Sequence, residues 1–234
     1  NDGETDQLVC PQIALPADFD SYFEQLSSRM RKKIRRATRK NIDSGLLTLK
    51  GTTPQTFESE ADQLVSFWLQ KWGDIKDSSQ LHGTAQKYRE LLERCHKLGI
   101  LYMPSLWDGD RMLGAIALVI DPYNRVLHSM VEGRDAAAED VEVGLLLHTR
   151  AIRSAIKADL HTYDFGHGNE AYKYSYGSED KRVSYLTITR RDGAVNALDP
   201  MGLSEALSRT HNFVERGKID RALAALKQLS AFVA

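Results

Sequence analysis

Tyr163-Asp164-Phe165-Gly166-His167-Gly168-Asn169-Glu170-Ala171-Tyr172-Lys173 gathers an acid, a phenol and an ammonium around a glycine turn. The stretch predicts a short buried strand ending at Asp164, then the turn, then a short helix. That helix would carry Tyr172 and Lys173 back towards the strand end. Gly166 and Gly168 open backbone conformations closed to other residues. Asp164, Tyr172 and Lys173 at one strand end can exchange protons with a bound molecule and hold an anion. A plain turn with solvated polar groups satisfies the same spacing, because Gly-x-Gly turns are common punctuation. Lys173 would hold an anion or pair with Asp164. His161 and His167 would complete a metal set with Asp164 only if they shared its side. Strand alternation sends His161 to the opposite face, so no metal is expected.

A second acid, Glu132, ends the strand predicted over residues 124–132 and is the other candidate base. His128 lies four residues earlier and is expected on the same strand face, where it reads more simply as a satisfied core histidine.

The elements that must position these groups follow from periodicity. Asp18 can cap a helix from Phe19, along which Phe19, Phe23, Leu26, Met30, Ile34 and Ala37 form one apolar stripe up to Gly45. A strand over residues 46–49 follows, then helices over residues 57–71 and 84–98 separated by a polar loop. Three strands come next, over residues 100–107, 111–120 and 124–132, joined at Asp108-Gly109-Asp110 and at Asp121–Asn124. They read as an antiparallel meander. A helix over residues 143–158, a strand over 161–165 and a last strand over 182–189 complete the domain. Residues 190–200 read as a linker to a helical hairpin around Gly217. The fold class is therefore α/β (α+β), a mixed sheet with flanking helices and a C-terminal helical hairpin. The expected division is a segment 1–17, an edge strand or a connection from a missing N-terminal part, then a domain 18–190 and an appendage 200–234. The chain opens Asn1-Asp2-Gly3 without methionine, which reads as a piece of a longer protein.

Composition sets limits. At 234 residues, 42% hydrophobic and formally −1, the chain can build a core and is not a general polyanion binder. Its basic residues are uneven: eight of the twelve from Arg29 to Lys40 are Lys or Arg, and the remainder is net acidic. This segment can dock RNA or an anionic membrane surface, or be a solvated face paired with the acidic remainder. It lacks aromatic residues to stack on bases. Cys10 and Cys95 make no disulfide framework and point to a reducing, cytoplasmic setting. No apolar run is long enough for a transmembrane segment.

The element order resembles a GNAT-type acyltransferase domain. Asp108-Gly109-Asp110, Val143-Gly144-Leu145-Leu146-Leu147 and the Asp164–Lys173 block resemble the bacterial branch associated with cellulose and exopolysaccharide biosynthesis. So does the basic helix after the pattern Leu15–Phe19. That branch is related to the Fem-type aminoacyltransferases of peptidoglycan synthesis. The resemblance covers about residues 8–190, and it implies that most of a first GNAT-like lobe is missing. It implies acyl transfer from acyl-CoA, such as acetyl-CoA, to an amine or hydroxyl of a small or envelope-precursor acceptor. It places the acyl-pantetheine arm along Met130–Gly133, hence on Met130 and Val131. It places the pyrophosphate at Val143, Gly144 and Leu145, where amides at a helix start favour anions. Glu139, Asp140 and Glu142 crowd that start, with only Arg134 to offset them. The resemblance assigns the acid to Tyr172 and a substrate phosphate to Lys173. Two other readings stay open: a Fem-like aminoacyl-tRNA-dependent transferase and a non-catalytic interaction module.

Overall fold

The computed structural model describes residues 7–73, 78–184 and 200–233. Its centre is β5 (Arg111–Asp121), whose run from Met112 to Leu118 is buried throughout. A strand apolar on both sides must be covered on both faces, and it is. Ile116 and Leu118 face a core shared with α1 (Phe19–Gln25), α2 (Ser28–Thr38) and α5 (Val143–Lys157). Ala115 and Ala117 face the other core, built with α3 (Phe57–Trp72) and α4 (Ser78–Lys97). Gly133 permits that second layer to close, because a Cβ there would stand 2.8 Å from Phe67 Cβ and 3.0 Å from the Leu64 carbonyl.

The sheet has eight strands. β2 (Thr48–Gly51), β4 (Pro104–Asp108), β5 and β6 (Val126–Arg134) are antiparallel neighbours, and the two-residue β3 (Leu101–Tyr102) also pairs with β5. After the α5 crossover, β7 (Thr162–Asp164) lies parallel to β6. β1 (Gln7–Ala14) runs antiparallel to β7 on one side and to β8 (Glu179–Ser184) on the other. One mixed sheet crossed by α5 is the expected arrangement.

Several boundaries differ from expectation. Residues 7–14 are a strand, as one of the two expectations had it, but an interior one rather than an edge: the two apolar pieces around Pro11 form it together, and the Pro11 carbonyl accepts the Phe165 N–H at 3.0 Å. The sheet thus includes residues ahead of Asp18. The long first helix is two helices, because Leu26 turns extended and Ser27 caps the second through the Met30 N–H. Tyr22 is fully buried, while Phe19 and Phe23 are half-buried. α2 runs on into a π-helical turn (Arg39–Asp43). α4 starts at Ser78 rather than Thr84, since Leu81 already belongs to its buried stripe. β8 starts at Glu179; the expected strand residues 185–189 and the linker 190–199 lie outside the described residues. The small helix α6 (Ala171–Tyr174) follows the glycine turn. Contacts divide the chain into Asn1–Tyr185 and Leu186–Ala234. In the second unit α7 (Pro200–Glu215) and α8 (Ile219–Val233) pack as a hairpin, with Gly217 at φ +65° between them.

Candidate active site

β6 and β7 pair only from Val126 to His128. Beyond that point β7 ends and β6 continues, leaving a wedge that a cavity of about 670 Å³ fills. Glu132 enters this cavity because of an irregularity in β6. Ser129 pairs with Leu118 and Val131 with Ala117, so Met130 is an extra residue. Such a bulge puts two successive side chains on one side. Met130 and Val131 both pack against the α3–α4 core, and Glu132 emerges on the α5 face opposite Ile116.

There Glu132 meets His148 of α5, which is 1% exposed. His148 Nε2 lies 3.0 Å from Glu132 Oε2, and its Nδ1 lies 2.7 Å from the Tyr163 hydroxyl. One proton arrangement satisfies all three groups. Tyr163 donates to Nδ1 and Nε2–H donates to the carboxylate. Burial raises Tyr163 well above the usual phenol range, so it keeps its proton. On the carboxylate's other oxygen, Tyr172 donates at 3.3 Å and Lys71 Nζ stands 3.9 Å away. Burial alone would push the Glu132 pKa up. The His148 hydrogen bond and the Lys71 charge outweigh it and hold the carboxyl below its ordinary range. Tyr172 is raised by burial and by the nearby Glu132 charge. The site therefore holds an ionised acid beside a protonated phenol.

The start of α5 forms the cavity's other end, where Val143, Gly144 and Leu145 line it together with Arg29 and Lys33 of α2 and Arg134. The first amides of a helix have no intrahelical acceptor and attract anions. Open space surrounds the missing Gly144 side chain, and Lys33 pairs with Glu142 at 3.5 Å. The acidic crowding expected here is thus offset by cations that the basic segment supplies.

The four residues singled out from sequence do not converge. Glu132 and Tyr172 share the cavity. Asp164 lies on the opposite face of the sheet, between Gln12 and His128, while its neighbours Tyr163 and Phe165 face α5. It accepts from Gln12 Nε2 at 3.0 Å and from the Gly166 N–H at 2.7 Å, and His128 Nδ1 lies 3.2 Å away. His128 and Glu132 were expected on one face; the extra residue between them separates them. Lys173 does not reach the cavity. It is 3% exposed, and Nζ donates to the carbonyls of His167 (2.9 Å), Gly168 (3.1 Å) and Gly166 (3.4 Å) and pairs with Glu170 at 2.9 Å. The turn that was to aim the ammonium at the cleft instead wraps its own carbonyls around it, with Gly166 at φ +70° and Gly168 at φ +109°. Met130 and Val131 also stay out of the cavity, for the reason given by the bulge. His148, Tyr163 and Lys71 went unnoticed in the sequence. A histidine inside the buried stripe Leu145, His148, Ala151, Ile152, Ala155 was the available clue. Among the described residues there is no cluster of three or more metal-type ligands.

The Asp164–His128 pair gives a pH signature. The Asp164 hydrogen bond raises His128 above its usual range despite partial burial. Burial would raise Asp164, but His128, Gly166 and Gln12 hold it below. The His128 contribution to stability is complete below its unfolded pKa of about 6.5 and is lost as pH rises through the folded value. The Asp164 contribution is complete above about 3.9 and is lost as pH falls through its lowered value. Denaturation midpoints should therefore be highest between these limits and fall as pH rises through the raised His128 value, with a smaller fall in His128→Gln. Equal falls in both proteins would remove the pair as the cause.

The sequence of residues 28–174 matches the family described as acetyltransferase (GNAT) domain. The chain belongs to this family. The GNAT domain also shares its fold with several solved structures. A conserved protein of unknown function from Bacteroides thetaiotaomicron VPI-5482 superposes with a TM-score of 0.57 at 13% identity, over 77% of this chain and 60% of that one. FemX superposes with a TM-score of 0.53 at 11% identity, over 76% of this chain and 61% of FemX. L-PGS from Bacillus licheniformis superposes with a TM-score of 0.50 at 11% identity, over 80% and 61%. At these identities the likeness is one of fold. The GNAT chain spans about three fifths of the length of each. No curated protein matches its sequence. The family places it among transferases of acyl groups, and no described helix is long and apolar enough to cross a membrane.

Proposed function

We propose that this GNAT domain transfers an acyl group from acyl-CoA to an amine or hydroxyl of a small or envelope-related acceptor. The observation that carries the reading is one cavity holding an ionised Glu132 hydrogen-bonded to a protonated Tyr172, beside a cation-rich helix start. The donor supplies a thioester. Gly144 and Leu145 amides, with Arg29, Lys33 and Arg134, bind its phosphates. Glu132 takes the proton of the acceptor N–H or O–H as the heteroatom attacks the carbonyl, and the C–S bond breaks. Tyr172 protonates the departing thiolate. The Tyr172–Glu132 hydrogen bond then returns the collected proton to the phenol, which balances the cycle. The resemblance of the Asp164–Lys173 sequence to the exopolysaccharide-associated branch supports an acceptor of that type, a sugar or lipid-linked unit. The free thiols Cys10 and Cys95 support a cytoplasmic setting.

A second reading has an aminoacyl-tRNA donor. The fold shared with FemX and the basic α2 support it. Thermal unfolding with acetyl-CoA and, separately, with aminoacyl-tRNA separates the two. A donor at 100 times its dissociation constant should stabilise the protein by about 2.7 kcal/mol. Stabilisation by aminoacyl-tRNA alone transfers the assignment to the Fem-like reading, and stabilisation by neither leaves a non-catalytic module.

A further inference from the structure

Of the basic segment Arg29–Lys40, the catalytic cavity uses only Arg29 and Lys33, and Arg31 is spent on the Glu24 and Leu26 carbonyls. Two of the remaining arginines serve a separate groove. Arg35 and Arg39 stand one turn apart at the end of α2, and Arg150 and Arg153 stand one turn apart on α5, against which α2 packs. All four line a groove of about 490 Å³ that shares no residue with the catalytic cavity. Among the described residues none of the four has a carboxylate within 4.0 Å, although Asp20 and Asp43 also line the groove.

The arginines are held over apolar surface. The Arg153 guanidinium lies 3.6 Å from the centre of the Phe19 ring, and that of Arg35 lies 5.0 Å from the centre of Phe23. Phe19 and Phe23 are themselves stacked at 5.9 Å. Ile34 and Leu146 continue the floor into the core. Thr149 lines the groove too, and its hydroxyl, closed to solvent, has no hydrogen-bond partner. The π-helical turn that begins at Arg39 departs from the regular ladder at this place, as such turns often do at functional sites.

We propose that this groove is a second ligand site, which takes a phosphate ester carrying an apolar substituent. Arginine forks suit phosphate oxygens. Four guanidinium groups against two carboxylates leave a positive surplus that a phosphomonoester dianion neutralises. The phenyl and aliphatic floor suits the substituent. The inference does not depend on the acyl-transfer reading, because the two sites share no residue. The ligand can be presented by a bilayer or free in solution, and the chemistry is the same.

The test is a binding measurement on the whole chain with three probes. They are phosphatidylcholine vesicles with and without phosphatidic acid, soluble short-chain phosphatidic acid, and inorganic phosphate. Binding to the vesicles that contain phosphatidic acid supports the site with a bilayer source. Binding to the soluble lipid supports it with a soluble source. Arg39→Gln combined with Arg150→Gln, neither of which rests on a ring, should weaken binding by about tenfold or more. Arg36→Gln combined with Lys40→Gln, on the same segment but outside the groove, should change it by less than about threefold. Acyl transfer in the cavity should be unchanged in both double variants. Equal losses in the two variants would overturn the groove in favour of a diffuse basic face. Inorganic phosphate binding as tightly as the amphiphile would overturn the apolar subsite, and no binding to any probe would overturn the proposal.

Discussion

Glu132→Gln is expected to lower kcat by roughly 10²–10⁴-fold, the usual contribution of a positioned general base. The amide keeps the shape of the side chain and one oxygen to accept from His148 Nε2 or Tyr172, so the fold and donor binding should persist. It cannot take a proton at neutral pH, and it can no longer pass one to Tyr172. Donor-induced thermal stabilisation measured alongside turnover distinguishes this from simple damage: stabilisation retained and turnover lost is the expected pair of results. Because His148 and Lys71 hold the carboxyl below its ordinary range, the wild-type enzyme should keep Glu132 ionised well into mildly acidic buffer. An acidic limb near neutrality would then belong to another group. Turnover within a few-fold of wild type would remove Glu132 as the base.

Lys173→Met should act on stability. The ammonium is saturated by three carbonyls of the glycine turn and by Glu170. Methionine fills the channel but donates nothing, and the three carbonyls of Gly166, His167 and Gly168 lose a charged donor. Hydrogen bonds to charged groups are worth about 1.5–3 kcal/mol each, so a loss on the order of 3 kcal/mol is expected. The pair with Glu170 adds little, because that carboxylate is largely exposed to water. Denaturant titration measures the change directly. A variant as stable as wild type but inactive would mean that the ammonium leaves its cage to meet substrate.

The parts legible in the sequence were those governed by short-range periodicity. The meander, the crossover helix Val143–Lys157 and the short helix after Gly168 follow from alternation, from the apolar stripe and from glycine punctuation. Glu132 and Tyr172 were recognised separately, but their partner was not. His148 sits in a run of leucines and reads as core until Tyr163 and Glu132, each on another element, are brought to its two nitrogens. The division of labour among the basic residues was equally hidden. Charge count is a property of the segment, whereas facing one groove or another depends on the break at Ser27 and on the angle of α2 against α5. Lys173 went astray for a related reason: spacing placed it near the strand end, but the direction of its side chain depends on which carbonyls the turn presents.

The extra residue in β6 bears on how relatives of this chain are lined up. A one-residue gap placed at Met130 leaves every flanking letter matched and every side preserved, whereas straightening the bulge with Met130 kept exchanges the two sides of the strand for everything beyond it. A homologue with a strand of the same length but no bulge, bearing glutamate in the column of Glu132, would present that acid to the α3 layer, and the residue before it would face the histidine. Identity in a column is then no guarantee of a shared role, and an acid one position away can be the true counterpart. Inheritance of the site in this lineage is better traced by the spacing from His128 to Glu132 together with the bulge than by the glutamate alone.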